Sequence, residues 1–309
     1  MDIYSVKDGK LNHIKEVDFK LEKEIQQICD DNLQDLFDLE VVKSQFTIRN
    51  FRIDTLAFDQ KSKAFVIIEY KRNETFSVVD QGFAYLALVL NNKADCVLVY
   101  NDNRTKSIRI DDTNWPQTRV MFIAPSFTTY QVQSINFKDM PIELWEIKRY
   151  ANDTISIEQI EPLSASESIK TISSKSKIME KVTQEIKVYT EDDHLSGIPE
   201  DIKELYDKFK NLVLSIGNDI KIKPTQTYIA FISRTNFTDV EIQKSQLKVH
   251  LNLKKDRYQL DDPRGLARDV SNIGHWGNGD YEVVVGTSDD NDLDYILSLV
   301  KQSYKKNSA

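Results

Sequence analysis

Between residues 21 and 37 the apolar positions Leu21, Ile25, Ile28, Leu33, Leu36 and Phe37 recur at helical spacing, with acidic and amide residues between them. That spacing predicts an amphipathic helix. The period then changes. Residues 45–49 and 52–58 alternate like two paired strands, with Asn50 near the bend. A polar turn at 59–63 leads into 64–70, a run apolar enough for a strand covered on both faces. Residues 78–90 predict a second helix, and 96–100, 120–124 and 142–147 predict further strands. Helix, three strands, helix and strand in that order predict an α/β layer arrangement built on a mixed sheet.

Residues 163–177 break the pattern, with six serines and no aromatic residue. This composition predicts a linker. Beyond Pro199 the periodicity returns. Ile202, Leu205, Phe209, Leu212 and Val213 mark a helix over 201–216, closed near Gly217. Strands are expected at 227–232, 246–253 and 281–286, and a last helix at 292–304. The expected organisation is a domain at 1–162, a Ser-rich, charged linker at 163–198, and a smaller α+β domain at 199–309. No internal repeat is visible.

The chain has 309 residues, 40% of them hydrophobic, enough for two cores. Cys29 and Cys96 have no CxxC partner, so neither a disulfide frame nor a zinc site is expected. The start has no apolar leader and no apolar run is long enough to span a bilayer, so a cytoplasmic protein without membrane contact is expected. The net charge is -8. Residues 201–309 carry 16 of the 41 basic and 16 of the 49 acidic residues, so the whole acidic excess lies in the first 200. An acidic balance does not advertise nucleic-acid binding, but a cluster of carboxylates that binds a cation would produce one.

Phosphodiester hydrolysis builds negative charge that a hard divalent cation can offset. Mg2+ takes a few carboxylate oxygens and keeps several waters. Neighbouring strands can supply one carboxylate each, and a lysine two residues after the second falls on the same face. Asp54 stands in the strand RIDTLAF, and Glu69 and Lys71 end the strand FVIIEYK, with Tyr70 facing the other way. Charges at the mouth of so apolar a strand are costly without partners, so a shared site is the economical reading.

The run Arg52-Ile-Asp54…Ile68-Glu69-Tyr70-Lys71, with this element order, resembles the D…(D/E)xK signature and core of the PD-(D/E)XK nuclease superfamily. The segment Glu22-Lys-Glu-Ile-Gln-Gln-Ile-Cys-Asp-Asp-Asn32 is similar to the first helix of mismatch-type endonucleases related to RecB, where a glutamate precedes an apolar residue by three and an Asn by ten. Gln81-Gly-Phe-Ala-Tyr85 resembles the QxxxY element of RecB-like members. The likeness covers roughly residues 18–150. It implies a restriction-endonuclease-like fold and an Mg2+-dependent deoxyribonuclease, with Mn2+ as a substitute and endonuclease favoured over exonuclease action. Asp54, Glu69 and the Tyr70 carbonyl would hold the metal, with Glu22 nearby and Glu24 as its rival. Lys71 would position the water, and Gln81 and Tyr85 would support the site. DNA is the implied partner, in restriction, repair or anti-phage defence, and homodimers occur in such families. Arg49, Arg52 and Arg72 are candidate phosphate contacts. The alternative is a nuclease-like fold that binds nucleic acid or a protein partner without cutting.

Residues 223–306 resemble a separate domain family, some of whose members carry the label predicted transport protein. The likeness rests on Tyr228-Ile-Ala-Phe, Gln243-Lys-Ser-Gln-Leu-Lys and Arg268-Asp-Val-Ser-Asn-Ile-Gly-His-Trp-Gly-Asn-Gly-Asp280. In that last segment Gly274, Gly277 and Gly279 are expected to shape a loop, with His275 and Trp276 structural or ligand-binding.

Overall fold

In the computed structural model, residues 2–73, 76–102, 104, 107–161, 167–174, 176–253, 259–273, 279–287 and 292–308 are described. The chain forms two compact units, Met1–Val188 and Tyr189–Ala309. His275, Trp276, Gly274 and Gly277 lie outside the described residues.

The first unit opens with a hairpin, β1 (Ile3–Lys7) and β2 (Lys10–Ile14), and a short strand β3 (Glu16–Val17). Helices α1 (Glu22–Asp31) and α2 (Leu33–Phe37) follow, so the predicted helix is broken at Asn32. Strands β4 (Glu40–Ile48), β5 (Phe51–Asp59) and β6 (Ala64–Tyr70) form an antiparallel meander. Helices α3 (Val78–Asn91) and α4 (Lys93–Asp102) cross over to β7 (Arg119–Ala124), which pairs with β6 in parallel. A further crossover through α5 (Thr129–Ser134) sets β8 (Ile142–Tyr150) parallel to β7. Strand β9 (Ile155–Ile160) returns antiparallel, and β3 pairs with the end of β8. The result is the mixed α/β sheet that the strand pattern predicts.

Alternation along β6 and β7 splits the core into two layers. Phe65, Ile67, Val120 and Phe122 face α3 and α4. Val66, Ile68, Tyr70, Met121 and Ile123 face the layer of Ile25, Cys29 and Leu33 on α1 and α2. Among the described residues, no single helix is long and apolar enough to cross a membrane.

Two expectations are corrected. The segment 96–100, expected as a strand, lies inside α4. Its run of apolar residues fits either state by composition. The helix buries Cys96, Val97 and Tyr100 and leaves Leu98 63% exposed, a one-sided burial that a doubly covered strand would not give. The expected linker at 163–198 is in large part folded structure. It contains α6 (Lys170–Ser173), α7 (Lys177–Glu185) and α8 (Glu191–Leu195). Ile169, Val182 and Ile186 are buried in the core against β6 and α3. The serines there do local work: Ser176 caps α7 by accepting from the Met179 N–H, and Ser168 donates to Asp139. The division between the units falls after Val188.

The second unit carries α9 (Glu200–Leu214), with Gly217 beyond its Ser215 cap, and a six-stranded antiparallel sheet. The strands are β10 (Lys221–Pro224), β11 (Ile229–Ile232), β12 (Asn236–Ile242), β13 (Leu247–Leu251), β14 (Arg268–Asp269) and β15 (Tyr281–Val285). Their order in the sheet is β10-β11-β12-β13-β15-β14. The terminal helix α10 (Leu293–Asn307) buries Ile296, Leu299 and Val300 with Phe209, Val240 and Val249. Strands β10, β12 and β14 were not legible in the sequence.

Candidate active site

The β5–β6 ladder pairs Thr55 with Ile68. One step further along the same register stands Asp54 beside Glu69, where both side chains share a face. Each carboxylate binds the other residue's strand. The Asp54 N–H donates to Glu69 Oε1 at 3.1 Å, and the Tyr70 N–H donates to Asp54 Oδ2 at 3.1 Å. Lys71 Nζ, two residues on from Glu69, donates to Glu69 Oε2 at 3.2 Å and lies 5.9 Å from the Phe76 ring centre. The Lys71 N–H donates to the Ile123 carbonyl at 2.9 Å, which ties the end of β6 to β7.

Glu69 is 2% exposed. Burial, then the charge of Asp54, push its pKa up from 4.5 to about 7, against the pull of Lys71 and the Asp54 N–H. Tyr85 presents its hydroxyl to the Glu69 carboxylate, and burial together with that charge raises the phenol above its usual value. Gln81 stands one helical turn before Tyr85 on α3, which Ser77 caps by accepting from the Asp80 N–H. The Gln81 Oε1 is buried with no hydrogen-bond partner among the described residues.

On the other side of Asp54 lies a cleft of about 390 Å3 lined by Glu22, Lys23, Gln26, Gln45, Arg52, Asp54 and Tyr70. Glu22 enters this cleft, and its Oε2 accepts from the Arg72 N–H at 3.0 Å. Glu24 accepts from the Lys20 N–H at 3.1 Å and is not among the lining residues. Among the described residues, however, no three His, Cys, Asp or Glu side chains come together as a ligand group. Arg49 points elsewhere and donates to Asn92 at 3.1 Å.

Three side chains of the site escaped the sequence. Gln26 donates to the Asp54 carbonyl at 2.8 Å, Gln45 donates to Gln26 Oε1 at 2.8 Å, and Gln45 also reaches Asp54 Oδ1 at 3.3 Å. Asp30 accepts from the Thr55 hydroxyl at 2.6 Å, the Tyr70 hydroxyl at 2.9 Å and the Ser44 hydroxyl at 2.7 Å, so it bolts α1 to the strands that carry the site. Only the one-turn spacing of Gln26 and Asp30 on α1 hinted at this.

The fold and this site define a mixed α/β protein whose first unit carries an apposed carboxylate pair with a bonded lysine. Over 305 residues, the chain is 45% identical to a Haemophilus influenzae protein described as an uncharacterized protein, covering 99% of this chain and 100% of the relative. It belongs to that protein's family. Residues 191–307 match the family model Domain of unknown function (DUF5655). No solved structure matches the chain.

Proposed function

We propose that the first unit is a divalent-cation-dependent nuclease of the PD-(D/E)XK type that cuts DNA, working in the cytoplasm in restriction, repair or defence. The reciprocal bonding of Asp54 and Glu69, with Lys71 on Glu69, carries this reading.

The donor set suits Mg2+ or Mn2+. It offers two carboxylates and the Tyr70 carbonyl between Glu69 and Lys71, all hard oxygens, and Mg2+ characteristically takes only one or two protein carboxylates. The orphaned Gln81 Oε1 is a buried acceptor of the kind that serves a hydrated cation or its water. When bound, the cation supplies charge neutralisation at the phosphoryl oxygens and a more acidic water. The chain supplies the rest. Lys71 holds an attacking water or offsets developing charge from a fixed position. Tyr85 and the Asp54 N–H hold Glu69. Glu22 holds the Arg72 turn. Arg52 and Lys23 line the cleft as cationic contacts for phosphates. The second unit selects the target or mediates assembly, including a homodimer.

The second reading is a nuclease-like fold that binds nucleic acid or a protein partner without cutting, and the acidic excess of the first 200 residues favours it. One experiment separates them. Purified full-length protein is incubated with single-stranded, duplex, branched and mismatched DNA and with RNA, in Mg2+ or Mn2+, beside Asp54→Ala and Lys71→Ala. Cleavage by the parent, reduced about 100-fold or more in both variants, is expected. Binding without cleavage supports the second reading, and cleavage that survives both substitutions refutes the first.

A further inference from the structure

Six non-glycine residues among those described have positive φ: Asp8, Asp38, Gln45, Arg49, Lys63 and Asp153. Five stand at turns, bends or a helix end, where such backbone is ordinary. Gln45 does not. Its φ is 51°, and it lies inside β4. Beyond the bulge between Val41 and Lys43, Ser44 pairs with Thr55 and Phe46 with Ile53, so the register is the same on both sides of Gln45 and sets it opposite Asp54. A long L side chain enters the left-handed region at a cost, and a strand interior supplies no turn chemistry to justify it. Strain of this kind persists where the surroundings enforce it, and it gathers at working sites.

The side chain shows what the strain secures. Gln45 lines the cleft, and its one amide nitrogen donates to both Gln26 Oε1 and Asp54 Oδ1. Gln26 in turn donates to the Asp54 carbonyl. Asp54 is thus held at three acceptors: the carbonyl by Gln26, Oδ1 by Gln45 and Oδ2 by the Tyr70 N–H. Each carboxylate oxygen has more than one acceptor direction, so one N–H on each still leaves it able to serve a cation.

We propose that Gln45 is a positioning residue: its left-handed backbone is kept so that its amide, braced on Gln26, fixes the orientation of the Asp54 carboxylate for metal binding and catalysis. This rests on the nuclease reading of the site. Groups that orient a metal-binding carboxylate characteristically change metal affinity about 10-fold or more when removed.

The test compares Gln45→Ala with Gln45→Gly in the full chain. Both lose the amide, but only Gly relieves the left-handed strain. Three readouts are taken: Mn2+ affinity by calorimetry, Tm of the chelator-treated protein, and kcat and KM on the DNA that the parent cuts best. The Gly variant is expected to melt above the Ala variant. Both are nevertheless expected to lose Mn2+ affinity alike, about 10-fold, with kcat falling and KM for DNA unchanged. A merely structural Gln45 predicts the opposite ordering, in which metal affinity and kcat follow Tm. A Gly variant that matches the parent in Mn2+ binding and kcat overturns this inference and leaves the nuclease reading standing. A parent that binds no more Mn2+ than Asp54→Ala and cuts nothing brings down both.

Discussion

Glu69→Gln should stabilise the metal-free protein at alkaline pH while abolishing its proposed activity. Folding raises the Glu69 pKa from 4.5 to about 7, chiefly by burial and by the charge of Asp54. The folded state therefore holds this proton more tightly than the unfolded state does. Below pH 4.5 both states are protonated and the carboxyl costs nothing. As pH rises through that value the unfolded chain gives up its proton first, and stability falls until about pH 7, where the penalty is complete. Each pH unit of that interval is worth about 1.4 kcal/mol, so the ionised carboxylate costs the fold about 3 kcal/mol. Glutamine mimics the neutral acid, and its amide oxygen can still accept from the Asp54 N–H. The raised value already contains the attraction of Lys71, so loss of that ion pair carries no separate cost. The gain of about 3 kcal/mol corresponds to a rise of roughly 9 °C in the Tm of a unit this size. Calorimetry of the full chain in chelator at pH 8 and pH 4.5 reads it. The first unit should melt higher in the variant at pH 8, and the difference should shrink or vanish at pH 4.5. Equal Tm at pH 8, or a gain that persists unchanged at pH 4.5, refutes the electrostatic account of Glu69.

The same raised pKa makes metal binding proton-linked. At pH 6.5, Mn2+ binding should release close to one proton, seen as a dependence of the calorimetric heat on the buffer, and Glu69→Gln should release none. Asp30→Ala removes the acceptor shared by Thr55, Tyr70 and Ser44. It should cost about 2 kcal/mol in urea unfolding of the first unit and lower activity through α1, while Asp30→Asn keeps part of both. Arg119 is paired with Asp59 at 3.1 Å and Glu143 at 3.0 Å in a largely buried triad. Arg119→Met should cost the first unit about 3 kcal/mol by leaving two carboxylates without their guanidinium, and a loss under 1 kcal/mol would show the triad to be well solvated.

Local pattern determined a good deal. The alternation in β5, the apolar run of β6 and the helical spacing of α3 put Asp54, Glu69 and Tyr85 on elements that follow from neighbouring residues alone, with Lys71 just beyond the end of β6. Binary patterning is a local property, so it could be read in order along the chain. It failed at 96–100, where a short apolar run satisfies both periods, and only packing against one side decided for the helix. It also failed at 163–198, where serines hid the apolar positions Ile169, Val182 and Ile186. Their burial depends on a core that is distant in sequence. The site divides in the same way. The residue types of the Asp54–Glu69–Lys71 set were visible because strand alternation fixes which side chains share a face. The place of Glu22 in the cleft, and the contacts of Gln26, Asp30 and Gln45, were decided by tertiary structure. Each depends on α1 and β4 meeting β5 at hydrogen-bond distance, and no spacing along a single element encodes the distance between two.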